Sequence, residues 1–491
     1  MDAPLQDDSK VRPWQKRALP YAVVALACIA ARLPFLSVPM IVDEGAYGYV
    51  AKFWTSHYQL YRDIPFDRPQ GLFLIFKLCL LLIGGTLQAI RFYAALWTAA
   101  GGVTLFLLLE RAHSRRAAWF GALGFAVLST CVRVEGYTAN GETFANFPLL
   151  LSALLTWQGS FGWAGFAAGG ASFIKPSGAS GLILAMGWAL TRPEKRKNLA
   201  LSAAGFAFWP LASIIHGALA DWGSYWHIMV TFRGALTDAL GLDVAEQLRL
   251  MRLHIRTTFP AWAPAFAAGS FAVFRASRPQ RNFGLLFAAS ALAGMAIGAR
   301  WADHYFIQWV APMCFLGGIG AATIQGPRED RIAALAIAAA LLVFAFGEGP
   351  YWLMSPKEVS ETYYERDAYT HGPEIAAFVR AHTRPEDSIY VAFSNAHLYY
   401  LADRRAAPPL LFWLYPAGSA EFAAQVMDAV EARVPAAIIV THPVPGPYLK
   451  TDEFWKALRS GYEEAFRQRL ICVYLRKGDK PASEAGSASS P

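Results

Sequence analysis

From Tyr21 to Phe346 the chain returns repeatedly to apolar runs of the length needed to cross a hydrocarbon layer. That recurrence excludes a string of soluble domains. Only 16% of the 491 residues are charged against 55% apolar, and the mean hydropathy is +0.29, so the chain reads as a polytopic α-helical membrane protein. Its net charge of +8 could suggest nucleic acid, but the excess Lys and Arg sit in short clusters between the apolar runs. That is the positive-inside pattern, and nucleic acid is not expected as a partner.

The clusters set the topology. Lys10, Arg12, Lys16 and Arg17 hold the start of a first span, from Ala18 to Leu36, in the cytoplasm, and no small-residue cleavage site follows it. Residues 38–70 then lie outside. The apolar run Gly71 to Gly85 is short for a crossing, and if it crossed, the cluster Arg111, His113, Arg115 and Arg116 would fall outside. It is therefore expected to lie along the outer interface as a juxtamembrane helix. Further spans are expected near 89–110, 117–133, 143–158, 199–216, 260–274, 283–299, 306–323 and 331–347. Two short helices between Phe161 and Leu190, broken at Lys175-Pro176-Ser177-Gly178, complete about eleven crossings. The segment Gly217 to Phe259 reads as a long outer loop rich in Trp and Tyr, with an amphipathic stretch from Ala245 to Ile255.

Composition changes at Glu348. Helical patterns at Gly372 to His382 and Glu421 to Arg433, and buried-strand patterns at Ser388 to Ala392 and Ala436 to Val440, predict a small α/β domain over residues 348–477. The transmembrane unit is then 1–347 and the tail 478–491 is expected to be disordered. Cys28, Cys79, Cys131 and Cys314 lie in apolar runs and Cys472 stands alone, which argues against a disulfide framework.

Candidate chemistry gathers in the outer segments. Asp43 and Glu44 follow the first span, with Tyr47, Tyr61, Asp67 and Arg68 close by in sequence. Arg91 opens the second span, Glu142 ends the turn that starts at Glu135, Lys175 sits at the helix break, and Arg300, His304 and Tyr305 share one outer turn. Carboxylates that take a proton from an acceptor, beside cations that hold a departing phosphate, suit group transfer from an anionic leaving group. Each residue also has a plainer reading. Asp43 could be a solvated helix-start residue, Glu142 a helix cap, Arg68 and Arg91 interfacial anchors, Lys175 the mark of a helix break, and His304 an interfacial residue.

Asp43-Glu44 with Tyr47, Pro65-Phe66-Asp67-Arg68-Pro69, Arg91, Asn140-Gly141-Glu142, Lys175-Pro176, and His304-Tyr305 with Gln308 and Pro312 carry a resemblance. In these the chain is similar to GT-C membrane glycosyltransferases of the protein O-mannosyltransferase type. The branch it resembles includes lipid A aminoarabinose transferases and rhizobial lipopolysaccharide galacturonosyltransferases. The resemblance implies a GT-C-like fold and inverting transfer of a sugar from a polyprenyl-phosphate donor to an acceptor outside the membrane. It makes Asp43 the catalytic acid position, with Glu44 beside it, and puts Arg68 on the donor phosphate. Arg91, Lys175, Arg300 and His304 are further phosphate candidates, and Tyr47, Tyr61, Asp67, Glu142 and Tyr305 candidates for orienting substrate. The pattern departs at Ala46, where many relatives have Arg, and at Gln70-Gly71, where many have Pro-Leu.

The expected enzyme is thus a glycosyltransferase of the bacterial inner membrane, with the C-terminal domain periplasmic. Its partners are membrane lipid, the lipid-linked donor, and an envelope glycolipid, glycan or protein as acceptor. No cofactor is demanded, and a divalent cation, if one is used, would sit on Asp43, Glu44 or Glu142. A flippase for lipid-linked sugars, or a non-catalytic envelope scaffold, are the competing readings; a transporter predicts charges spread through the bilayer midplane.

Overall fold

The computed structural model describes residues 13–232, 234, 243–298, 300–324, 326, 330–392, 395–412, 419–441 and 451–478. The N-terminal cations Lys10 and Arg12, and all of the tail except Gly478, fall outside these residues. Long helices occupy the chain up to Gly347: α1 (Pro13–Arg32), α4 (Leu87–Ala112), α5 (Arg115–Leu128), α6 (Gly141–Trp157), α7 (Phe161–Ile174), α8 (Ser180–Ala189), α9 (Lys195–Trp226), α10 (Val244–Arg275), α11 (Arg278–Ile297), α12 (Phe306–Ala322) and α13 (Arg331–Gly347). Two further helices, α2 (Val42–Phe53) and α3 (Gln70–Leu82), lie between α1 and α4.

Their ends follow ordinary capping chemistry. Thr86 and Ser114 accept the backbone N–H of Ala89 and Ala117 at 3.2 Å each, opening α4 and α5. Pro176 brings no N–H to continue the ladder after Lys175, so α7 stops there and a tight turn leads into α8. α7 and α9 approach closely because small residues face each other. A Cβ on Gly165 would fall 2.0 Å from the Ser202 carbonyl oxygen.

By length and composition, Ala18–Phe35, Leu87–Ala112, Lys195–Thr231 and Asp303–Ala322 qualify as full crossings among the described residues. The remaining helices are shorter or open on polar, charged turns, as α11 does at Arg278 and Arg281. The segment expected as a long outer loop is largely helical. α9 continues to Trp226 across a kink at Asp221, whose carboxylate accepts the Ser224 backbone N–H at 3.2 Å and restarts the helix. Asp243 then caps α10 through the Glu246 N–H at 2.8 Å, and the helix runs unbroken past Pro260 and Pro264. The amphipathic stretch and the span after it are therefore one helix.

After α13 come α14 (Pro356–Tyr364), α15 (Gly372–His382), β1 (Ser388–Ala392), α16 (His397–Ala402), β2 (Arg405–Ala406), α17 (Ala420–Glu431), β3 (Ala437–Val440), α18 (Thr451–Gly461), β4 (Tyr462–Gln468) and β5 (Ile471–Arg476). The sheet runs β2-β1-β3-β5-β4, parallel from β2 to β3 and antiparallel beyond. Val391 pairs with Ile439, and Ile439 with Val473. β1 and β3 are almost wholly buried, as central parallel strands require. This unit shares one apolar core with α2 and α3. Tyr47, Tyr49 and Val50 of α2 and Phe73 of α3 join Ile375, Val391, Ile439 and Val473.

Candidate active site

α2 is the short helix on which the site is built. Asp43 and Glu44 fall in its first turn, where carboxylates are stabilised by the positive end of the helix dipole. Their environments then diverge. Glu44 is fully buried; it accepts Arg91 Nε at 2.9 Å and Nη2 at 2.7 Å, the Ala139 N–H at 2.9 Å and the Ile41 N–H at 3.2 Å. The same guanidinium also donates to the carbonyls of Phe35 at 2.9 Å, Pro39 at 3.2 Å and Val38.

Every N–H of Arg91 and both oxygens of Glu44 are therefore spent inside the protein. Arg91, expected on the donor phosphate, is a buried strut between α4, α2 and the end of the first span. Glu44, expected at the chemistry or on a cation, is its partner. Asp43 is different: its carboxylate is partly exposed and has no hydrogen-bond or ion-pair partner among the described residues.

The loop between α2 and α3 supplies a guanidinium. Tyr61 is buried and donates to the Arg68 carbonyl at 2.9 Å, which fixes the loop. Arg68 Nη1 bonds Asp67 at 2.8 Å, while its Nε–H is buried without a partner among the described residues. The Tyr47 hydroxyl stands among these groups and feels Asp43, Arg68, Glu142 and Asp67. Burial first, then Asp43, pushes it well above the ordinary phenol range, so it stays a protonated donor.

A second group comes from the turns before α6, α8 and α12. Lys175 pairs with Glu142, both buried, and its Nζ lies 4.5 Å over the Tyr305 ring. Glu142 Oε2 is buried and has no partner among the described residues. His304 Nδ1 bonds Glu135 at 2.9 Å and its Nε2 faces Glu142 Oε1 at 3.9 Å. The result is a row in which acid and base side chains alternate: Glu135, His304, Glu142, Lys175. The two groups share one electrostatic field, since Arg68 is acted on by Asp67, Tyr47, Tyr305 and Asp43.

The structure thus brings Asp43, Tyr47, Tyr61, Asp67, Arg68, Glu142, Lys175, His304 and Tyr305 together. The Arg300 side chain makes no hydrogen bond, ion pair or ring contact among the described residues. Of the carboxylates considered for a cation, Glu44 is committed to Arg91, and Glu142 gives one oxygen to Lys175. Among the described residues no three His, Cys, Asp or Glu side chains converge as a metal site.

Sequence reasoning passed over Glu135, although it opens the same turn as Glu142. It also missed Asp303, which binds His254 at 2.7 Å and the Tyr363 hydroxyl at 2.8 Å. Their partners lie on distant elements, so no local spacing exposes them.

No protein-family model matches the chain, and no curated protein matches it. Solved structures do. ArnT from Cupriavidus metallidurans bound to undecaprenyl phosphate aligns over 94% of this chain and 98% of its own, with a TM-score of 0.63 and 14% identity. The same protein in its apo state gives 0.64. The Archaeoglobus fulgidus oligosaccharyltransferase in complex with Zn and sulfate aligns over 86% of this chain and 67% of its own, with a TM-score of 0.53 and 12% identity. Both neighbours are GT-C glycosyltransferases, and the likeness shows that this chain has their fold. It is the fold that the motifs around Asp43 imply.

Proposed function

We propose that this protein transfers a sugar from a polyprenyl-phosphate donor to an acceptor hydroxyl, with inversion, at the outer face of the bacterial inner membrane. One observation carries the reading: Asp43 offers a carboxylate with no partner among the described residues, on a helix whose neighbouring carboxylate is locked in place, beside cations with unused donors. Asp43 takes the proton of the acceptor hydroxyl as the acceptor oxygen bonds the anomeric carbon. The bond from that carbon to the phosphate oxygen breaks, leaving polyprenyl phosphate with one more negative charge. Arg68, Lys175 and His304 meet that charge, and the protonated Tyr47 hydroxyl orients the reactants. The ArnT structure bound to undecaprenyl phosphate supports a lipid-linked donor.

In this reading the helices make about eleven crossings. α3 lies along the interface, its exposed Leu74, Leu78, Leu81 and Leu82 toward lipid and its buried Phe73 and Phe76 toward α2. The acceptor is an envelope glycolipid, glycan or protein. Charges gathered at one end of the helices favour chemistry there over transport across the bilayer. The test is transfer from a synthetic polyprenyl-phosphate sugar by purified protein. Asp43→Asn is expected to cut turnover by about 10²- to 10⁴-fold with the melting temperature unchanged. Full activity in that variant sinks the assignment of the base. Mass spectrometry of envelope glycolipids and glycoproteins from a deletion strain then names the sugar and the acceptor.

A further inference from the structure

α2 is short, and the C-terminal unit covers the face of it that carries Gly45 and Gly48. Gly45, directly after Asp43-Glu44, is buried against α16; a Cβ there would lie 2.2 Å from His397 Cα and 2.4 Å from its Cβ. One turn on, a Cβ at Gly48 would meet the Tyr400 ring at 2.9 Å. Farther along, the Tyr49 hydroxyl accepts the Ala406 N–H at 2.9 Å, and Lys52 pairs with Asp403 at 2.6 Å.

His397 is fully buried; its Nε2 bonds the Ala368 carbonyl at 2.9 Å, and its Nδ1 has no partner among the described residues. That arrangement assigns the proton to Nε2. Burial pushes the imidazole down to about 4, so the ring is neutral near pH 7. From there contacts run back to the site. The His397 ring packs on Tyr369 and Tyr369 on Tyr364, at 5.1 Å each. Tyr137 donates to the Tyr364 hydroxyl at 3.1 Å, and the Tyr137 ring lies 5.0 Å from the Arg91 guanidinium, which holds Glu44. α2 is gripped on one side by Arg91 and on the other by His397, and a single run of contacts joins the two grips.

We infer that His397 is a positioning residue for Asp43: seated on the glycine face of α2, it makes the C-terminal unit a jig that fixes where the first turn of that helix presents its carboxylate. The inference rests on Asp43 being the base. A plain docking role would change stability alone, whereas a positioning role changes turnover at constant donor affinity, because small misplacements of a base weigh heavily on the rate.

The experiment measures kcat, donor KM, melting temperature and hydrogen exchange of residues 42–53 for Gly45→Ala, His397→Ala and His397→Gln, with Asp43→Asn in parallel. Gly45→Ala forces α2 off α16, and His397→Ala removes the ring and its bond. Each is expected to lower kcat by about 10- to 100-fold with donor KM within about twofold, and to speed exchange in α2. His397→Gln retains an N–H for Ala368 and is expected to recover most of the turnover. Wild-type kcat in His397→Ala overturns the inference, and so does a Gln variant no better than the Ala variant. If Gly45→Ala does not fold, the two His397 variants decide. An active Asp43→Asn variant removes the base itself; an inactive one, with His397→Ala at wild-type turnover, removes only the jig.

Discussion

Two buried acid-base pairs flank the site, and they have the same chemistry with opposite consequences. Glu44 and Arg91 saturate one another and the surrounding backbone, with both side chains at 0% exposure. Glu142 and Lys175 are nearly as buried, at 1% and 7%, but leave Glu142 Oε2 without a donor and the ammonium with only one carboxylate and a ring. An ammonium has three N–H donors, so this second pair has capacity left for a ligand and the first does not. Burial alone does not distinguish these two ion pairs; unfilled hydrogen-bonding capacity does.

The largest expected effect tests the closed pair. Arg91→Met strands a buried carboxylate, and breaking such a pair costs about 3–5 kcal/mol. Thermal unfolding in detergent should show that loss. The open pair behaves differently, because His304 Nε2, 3.9 Å from Glu142, can take over when Lys175 is removed. Equal destabilisation by Arg91→Met and Lys175→Met breaks the comparison.

A third buried carboxylate sharpens it. Glu348, just past α13, accepts the Val132 and Arg133 N–H groups at 3.0 Å each but forms no ion pair among the described residues. Burial outweighs those bonds and raises it from 4.5 to about 7. Because the folded value lies above the unfolded one, its stabilising contribution is complete below about pH 4.5 and is lost as pH rises through about 7. The loss is on the order of 3 kcal/mol. Melting temperature is expected to fall between about pH 5 and 8, and Glu348→Gln to flatten that slope. An unchanged slope in the variant removes Glu348 as the cause.

What the sequence disclosed follows the same division. The helix break at Lys175-Pro176, the helix Gly372–His382 and the strand Ser388–Ala392 are legible because a proline or a local apolar period marks them. Asp43 stood out in the sequence because it lies in a motif. The fate of Glu44 and Arg91 was not, since 47 residues separate them and pairing depends on how α2 meets α4. β4, with Glu463, Glu464 and Arg467 exposed at an edge, lacks the apolar signal that marked β1 and β3. The contact of α16 with Gly45 spans more than half the chain and leaves no trace in either segment alone.

For activity the ranking of the two pairs reverses. Lys175→Met is expected to lower turnover by about 10²-fold, the usual cost of losing one donor to developing negative charge, while the protein stays folded. Turnover near wild type would put Lys175 in the same class as Arg91.

The smallest effect concerns a single N–H. Arg68 Nη1 is tied to Asp67, but Nε is buried with no partner, an arrangement that costs free energy unless a ligand completes it. Lysine keeps the charge and can keep the Asp67 bond, yet it has no donor at the Nε position. Arg68→Lys is therefore expected to weaken binding of polyprenyl phosphate by about tenfold, the equivalent of one charge-assisted hydrogen bond, and to leave binding of a neutral polyprenol unchanged. Calorimetry with both lipids separates the outcomes. Equal affinity of the two proteins for the phosphate shows that Nε is no part of the donor site, and the open capacity on this face then belongs to Lys175 and His304 alone.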